Sequence, residues 1–426
     1  MTGTGGAVWT PNDYENFAKE AYLKNVIAFA CILKIARAVS SVPWGIYLKG
    51  KDNEILEAVE HPFLPVLTRA NVNQSWSYMM LRATAFLCLS GNSFFEKITP
   101  DTGPNKEIPR EIYALRPDRM QILTDTINGV IKGYKYSVGA LNVVFERDSI
   151  SGECNILHTK DFNPVDDFWG ASPTEPAARE IDTHNESTKW NKALLENEGR
   201  PGMMFMVNGF LTDQQYDRLE KRLHEEYAGS ANVGKHIIVE GDKGTDVKPY
   251  GYSPKDLEFV EGGRELARNI ALAYGVPPML LGIPGDNTYS NYKEARQAFW
   301  EDTVIYYLEY FRQELTNWLM GNSDNYLDYS LDNVAALAPK RESLWKMAQE
   351  SNFLKINEKR ALVGLPEVEG GDVILINGGM IPLNMAGELS DGTGESPTKT
   401  DGDAVKELMA TTGMTEAEAR AYIRGY

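Results

Sequence analysis

Two helix starts share one pattern. Ser172-Pro-Thr-Glu175 and Ser253-Pro-Lys-Asp256 each place Ser at the cap, Pro at the first helical position and an acid three residues after the Ser. The first predicts a helix to about Glu198, stopped by Gly199 and Pro201, and the second a helix to Tyr274, closed by Gly275 before Val276-Pro277-Pro278. Between them the pattern predicts a strand over 203–207, a helix over 213–228 and strands over 235–240 and 246–251. A chain that leaves along one helix, builds a small α/β unit and returns along another predicts a stalk carrying a tip. In the first stalk helix the apolar positions are few, Ile181, Trp190, Leu194 and Leu195, so it is not expected to be a core helix, and neighbouring subunits are one way to hold it.

The tip contains Gly229-Ser-Ala-Asn-Val-Gly-Lys-His236, one residue short of the phosphate-binding pattern G-x-x-x-x-G-K-[ST]. His236 stands where the Mg²⁺-binding hydroxyl belongs. The context is also reversed, because a phosphate loop follows a strand and opens a helix. Here the capping box Thr212-Asp-Gln-Gln215 and the face Tyr216, Leu219, Leu223 and Tyr227 make a helix that Gly229 ends, and His236-Ile-Ile-Val-Glu240 reads as a strand. An ordinary helix-to-strand turn is the better reading of Lys235 and its neighbours.

Before the stalk, residues 22–42 and 76–90 read as helices, the second closed by Gly91. Strands are expected at Trp44–Lys49, Glu54–Ala58, Ser93–Thr99, Glu111–Leu115, Met120–Thr124, Ile131–Val138, Val143–Arg147 and Asn155–His158, separated by turn signals such as Asn128-Gly129. This is a mixed domain with an antiparallel sheet. After the stalk, Asn291-Tyr-Lys-Glu294 opens the longest helix, 292–320, about 40 Å long. Its stripe of Trp300, Val304, Leu308, Phe311, Leu315 and Trp318 is a packing face. Tyr326–Leu331 reads as a strand returning to the first domain, residues 340–363 as helix stopped by Gly364, and Met385–Asp403 as a flexible polar tail before a short helix capped near Thr415. The fold class is α+β.

At 426 residues and a formal charge of -17, the chain is large enough for two to four structural units and too acidic for a high-affinity nucleic-acid binder. Cys31, Cys88 and Cys154 form no C-x-x-C pair, so a disulfide framework or structural zinc is not supported. The N-terminus lacks the basic and apolar regions of a secretory signal, and the apolar segment Val26–Val42 is broken by Lys34 and Arg37, so it reads as a buried helix rather than a membrane span. His61, His158, His184, His224 and His236 make no metalloprotease spacing. Asp166-Asp167 is the most tempting metal-binding pair, but it sits in Asn163-Pro-Val-Asp-Asp-Phe-Trp-Gly170, where turn structure is the stronger reading. No catalytic, cofactor or metal site is assigned from these motifs.

The ordered series Cys31-Ile-Leu-Lys-Ile-Ala36 with Val42-Pro-Trp44, His61-Pro62, Gly91-Asn92-Ser93-Phe94, Leu115-Arg-Pro-Asp118, Ile156-Leu-His158, Gly170-Ala-Ser-Pro173, Gly275-Val-Pro-Pro278, Leu281-Gly282, Thr288-Tyr-Ser-Asn291 and Asn357-Glu-Lys-Arg360 resembles the HK97-type phage portal proteins from about residue 25 to 375. The resemblance implies a portal fold: wing 1–171, stem helices 172–199 and 253–276, clip 200–252, tunnel loop 277–290, long helix and return to the wing 291–339, and crown with flexible tail 340–426. It implies a ring, usually dodecameric, at one capsid vertex, through which double-stranded DNA is packaged and ejected without sequence specificity. The implied partners are the terminase large subunit, which carries the ATPase, the major capsid protein and head–tail adaptor proteins. The implied location is the virion, after assembly in the host bacterial cytoplasm, with no catalytic site, no cofactor and no membrane. Asn287, Thr288, Tyr289 and Ser290 would be loop residues near DNA, or equally a plain turn capping the next helix, and Asn357 a helix N-cap. The alternatives are a P-loop hydrolase acting through Lys235 or a metal nuclease acting through Asp166 and Asp167; a gene-transfer-particle portal would obey the same physics as a phage portal.

Overall fold

The computed structural model describes residues 13–49, 60–100, 108–125, 129–196, 259–285, 289–321, 323–365 and 367–376, with strand pieces at 55–57, 203–206, 246–249 and 381–382 and a few isolated positions. The pseudo-phosphate loop with Lys235 and His236, the helix at 213–228 apart from a few positions, the strand at 235–240, the start of the second stalk helix, the tail from Met385 and the final short helix lie outside the described residues.

Two units partition the chain, 1–338 and 339–426. The core of the first begins at α1 (Val26–Ser40), where Asn25 accepts from the Ile27 and Ala28 amides at 3.0 Å. Its residues Cys31, Ile32, Ile35 and Val39 are fully buried, one face at helical spacing. This face packs on α2 (Trp76–Ser90), capped by Ser75 and ended by Gly91 in the left-handed region. The helix expected from residue 22 is divided, because Asn25 is extended and starts a new helix, while Phe17–Lys24 forms a separate π-helical segment.

Three antiparallel sheets complete the first domain. Strands β1 (Trp44–Lys49) and β2 (Ile55–Glu57) pair as expected. A second sheet holds β3 (Asn92–Ile98), β4 (Glu111–Leu115) and β8 (Ile156–Lys160) in the order β4-β3-β8, and a meander holds β5 (Met120–Thr124), β6 (Ile131–Val138) and β7 (Leu141–Glu146). In the β4-β3-β8 sheet Phe94 lies between Leu115 and His158, seeding a satellite core with Met120, Tyr134 and Ile156. In the tip, β9 (Met203–Met206) pairs antiparallel with β10 (Asp246–Pro249).

The stalk consists of α3 (Thr174–Glu196) and α4 (Phe259–Ala273), packed on each other. Half of the expected capping box forms: the Ser172 amide donates to Glu175 Oε1 at 3.3 Å, whereas Ser172 Oγ is buried without a partner. The polar sequence of α3 understated its burial. Ala177 and Ile181 are each 2% exposed and join the main core with Ile270 and Ala271 of α4, so the near half of α3 is held within the chain. Asn185 adds a buried polar tie, accepting from Asn25 Nδ2 at 3.1 Å and donating to the Glu20 carbonyl at 3.0 Å.

The long helix is interrupted: α5 (Tyr289–Ala298), a π-helical turn Phe299–Val304, then α6 (Ile305–Met320). Spacings of four between Trp300, Val304 and Leu308 overrun the 3.6-residue repeat, and the wider i→i+5 turn absorbs the excess. Trp300, Val304, Leu308, Phe311 and Leu315 are all buried as the expected packing face. Strand β11 (Asn325–Tyr329) then pairs with β1, Trp44 opposite Tyr329, giving the order β11-β1-β2 and closing the return to the first domain.

In the second unit the helix expected over 340–363 is two helices, α7 (Ala338–Glu350) and α8 (Ile356–Leu362). The break exists because a new cap forms: the Lys355 amide donates to Glu358 Oε2 at 2.9 Å. Asn357 therefore lies inside the first turn of α8 and is not its N-cap. Its buried Oδ1 accepts from the Val368 amide at 2.9 Å and its Nδ2 donates to the Val368 carbonyl at 3.2 Å, which fastens the following loop to the helix.

Candidate functional site

The segment after α4 is built from backbone constraints. Thr174 Oγ1 donates to the Cys88 carbonyl at 2.9 Å, so the buried Tyr274 hydroxyl donates to Thr174 Oγ1 at 2.8 Å; this joins α2, the start of α3 and the end of α4. Gly275 turns at φ +65, and the Val276 amide reaches back to the Ala271 carbonyl at 2.9 Å. The Gly275 carbonyl accepts from Thr303 Oγ1 at 2.7 Å, and a Cβ on residue 275 would stand 2.8 Å from that oxygen.

A short 3₁₀ turn, Pro278–Leu281, follows, ended by Gly282 at φ +75. The amides of Leu280, Gly282 and Ile283 bond the carbonyls of Pro277, Met279 and Pro278 at 2.9, 3.2 and 3.2 Å. Two cations hold the arch from outside. Lys34 Nζ of α1 donates to the Leu280 carbonyl at 3.0 Å, and Arg268 Nη2 of α4 donates to the Pro284 carbonyl at 2.7 Å. Burial, then the nearby Arg296 charge, holds the Lys34 ammonium below its usual pKa. Among the described residues none of Lys34, Arg268 and Arg296 is paired with a carboxylate.

Of the four residues expected in the loop, Asn287 and Thr288 lie outside the described residues. Tyr289 and Ser290 are corrected: α5 starts at Tyr289, so both stand in its first turn and not in a loop. Ser290 is exposed, with Oγ 3.4 Å from Glu294 Oε1 one turn on, a bond along the helix surface.

The competing carboxylates form a turn. Asp166 Oδ1 accepts from the Phe168 and Trp169 amides at 2.7 and 3.0 Å, and these bonds hold the Asp166 carboxyl below the usual range. Lys160 Nζ bonds the carbonyls of Asp167 and Phe168, completing the turn. Among the described residues no group of His, Cys, Asp and Glu is placed to hold a metal, and no helix is long and apolar enough to cross a membrane.

A cleft of about 490 Å³ in the first domain is lined by Lys97, Tyr134, Cys154, His158, Glu314 and Trp318, and burial lowers the Lys97 ammonium and raises the Glu314 carboxyl there. His158 stacks on Phe94 with ring centroids 4.2 Å apart, and burial lowers its pKa to about 3. Burial likewise raises the Cys154 thiol.

The comparisons with known proteins cover the same region. The profile of the phage portal protein family matches residues 27–364. A Rickettsia bellii protein is 38% identical over 358 residues, 83% of this chain and 90% of the relative. The portal protein of Enterobacteria phage HK97 is 22% identical over 381 residues, 86% of this chain and 85% of its own. Among solved structures, a chain in the neck of the native gene transfer agent particle, computed with C12 symmetry, is 36% identical, covers 86% of this chain and 97% of its own, and superposes with a TM-score of 0.63.

Proposed function

The chain belongs to the phage portal protein family, the head–tail connectors, and on that premise we propose that it closes into a twelve-fold ring forming the DNA channel at one vertex of a particle. The observation that carries the stoichiometry is the 36% identity to a chain of a gene transfer agent neck solved with C12 symmetry, spanning 97% of that chain. The same likeness favours a gene-transfer-type particle over a lytic virion. A closed ring needs a heterologous interface, one patch against a different patch on the next copy. The far half of α3, where Trp190, Leu194 and Leu195 stand among charged and amide residues in sequence, is suited to such a surface.

Portal proteins are in general structural and non-enzymatic. The turn geometry of Asp166 and the neutral, stacked His158 support the same reading for this chain. The ATP-driven step then belongs to a separate terminase subunit, with the capsid protein and tail adaptors as the other partners. A chain of net charge -17 passes double-stranded DNA without gripping it, because its field repels phosphate.

Particle imaging by electron microscopy with native mass on the same sample tests this. A holed ring of about 570 kDa, twelve copies of the 47.6 kDa chain, is expected. Monomers or dimers across several salt concentrations would overturn the ring. In the same preparation Lys235→Ala is expected to leave the ring unchanged; ATP turnover lost with that substitution would instead favour the hydrolase.

A further inference from the structure

We propose that Lys34 and Arg268 are positioning residues that fix the arch 275–285, and with it the segment leading to the channel, relative to the wing core and the stem. This assignment rests on the portal reading for what the arch does, but the clamp itself stands on geometry.

The arch is poor in its own donors. Pro277, Pro278 and Pro284 have no amide N–H, and the Leu280, Gly282 and Ile283 amides are spent on the carbonyls of Pro277, Met279 and Pro278. Among the described residues the Leu280 and Pro284 carbonyls accept from no backbone amide; they accept from Lys34 and Arg268. One cation comes from α1, in the middle of the main core, and the other from α4 in the stem. The two bonds therefore tie successive points of one arch to two different elements, and a third, from Thr303 to the Gly275 carbonyl, ties its root to the π turn of the long helix.

The choice of residues supports a positional role. Lys34 is half-buried beside the fully buried Cys31 and Ile35, a place where an ammonium is costly unless bonded. A lysine kept for solubility would point outward, and one kept for an ion pair would meet a carboxylate. Lys34 does neither: its bond is to a carbonyl. A charged donor makes a stronger bond to a carbonyl than a neutral one, so each clamp resists displacement more than a Ser or Asn would.

Hydrogen exchange of the assembled protein, read on peptides covering 276–285, tests the clamp. Lys34→Met and Arg268→Gln are each expected to raise arch exchange about ten-fold, with peptides from α2 and β3 unchanged. Lys34→Arg and Arg268→Lys, which keep a charged donor, are expected to restore protection. Unchanged arch exchange in both neutral variants would overturn the clamp. Arg268 is exposed, so Arg268→Gln keeps the question answerable if Lys34→Met does not fold.

The positional role has its own readout, nuclease-protected DNA per particle. The double variant, with ring mass unchanged, is expected to retain several-fold less DNA than wild type, rescued by the paired conservative substitutions. A loosened arch with normal DNA content would reduce the clamp to a stabilising contact and overturn the positioning role. A wild-type protein that forms no ring would sink the portal reading alone, because arch exchange is readable on whatever species forms.

Discussion

Replacing Gly91 by Ala should damage the first domain far more than an equivalent change at Gly139. Both glycines are left-handed, at φ +69 and φ +59, so each substitution carries the cost of an L-residue there, about 1–2 kcal/mol. They differ in space. A Cβ on residue 91 would lie 2.5 Å from the Ala171 carbonyl carbon and 2.7 Å from the Ala171 oxygen and the Gly170 carbonyl carbon, whereas a Cβ on residue 139 meets nothing within 4 Å. All three contacts at residue 91 are backbone, so no side chain can rotate away. Nor is the site free to move, since the Gly91 carbonyl accepts from the Asp161 amide at 2.9 Å and its own amide donates to the Leu87 carbonyl at 2.7 Å. Overpacking of this kind adds about 1–3 kcal/mol, giving roughly 2–5 kcal/mol for Gly91→Ala against 1–2 for Gly139→Ala. Urea unfolding followed by tryptophan fluorescence at one protein concentration measures both. Equal losses within about 0.5 kcal/mol would show that the 170–171 segment yields freely, and would refute the packing argument.

Four further outcomes follow from the same structure. Burial raises the Asp161 pKa to about 7, so the folded chain keeps a proton that the unfolded chain releases near 3.8; this stabilisation is full below about pH 4 and is lost as pH rises through 7. Asp161→Asn should flatten that limb of a pH–stability profile, and an unchanged slope would show that the carboxyl is hydrated. His158 acts in the opposite sense: with its folded pKa lowered to about 3 from 6.5, stability should fall as pH drops between those values, and His158→Gln should remove the acid-side loss. Asn357→Ala should cost the second unit about 1–3 kcal/mol, seen as faster hydrogen exchange over 366–373 with none at α2, because both Val368 backbone groups lose their partner. Asp166→Ala should cost about 1 kcal/mol through its two amide bonds while leaving ring mass intact, and metal-dependent DNA cleavage lost on that change would favour a nuclease.

Elements governed by neighbours in sequence were legible in advance. Ser75 and Gly91 bound α2 where their chemistry says a helix starts and stops, and β-branched runs between turn residues became β3 to β8 to within two residues of the expected limits. Burial governed by distant neighbours was not. The polar sequence of α3 gave no hint that Ala177 and Ile181 would enter the core, because two small or single apolar positions suffice when α4 presents Ile270 and Ala271 to the same cluster. Asn357 looked like a cap because Asn is a good one; what placed it two residues deeper, inside the first turn, was the cap that forms first, at Lys355 and Glu358. The π turns were hidden for a related reason, since a run of four-residue spacings fits an α-helix approximately and only packing against a fixed core forces the extra residue in.

Lys34 shows the limit most plainly. In sequence it reads as an interruption of an apolar segment, evidence only that Val26–Val42 is no membrane span. Its partner, the Leu280 carbonyl, is 246 residues away and is a backbone atom, so no side-chain pattern announces it. The acidic total of -17 also conceals that Lys34, Arg268 and Arg296 gather at the arch without carboxylate partners among the described residues. A chain of net charge -17 still has to hold one segment at a fixed place. Bonding the cations to carbonyls does this without carboxylates that would compete for them, and it leaves local positive charge at the arch. The consequence at Lys34 is a salt dependence opposite to that of a surface ion pair. The partly buried Lys34–Leu280 bond is weakly screened, so protection around Leu280 should persist between 0.1 and 0.5 M salt, while the exposed Arg268 bond and exposed pairs such as Lys189–Glu186 lose part of their contribution. Exchange around Leu280 that rises in step with ionic strength would show that Lys34 is held by long-range field and not by the carbonyl.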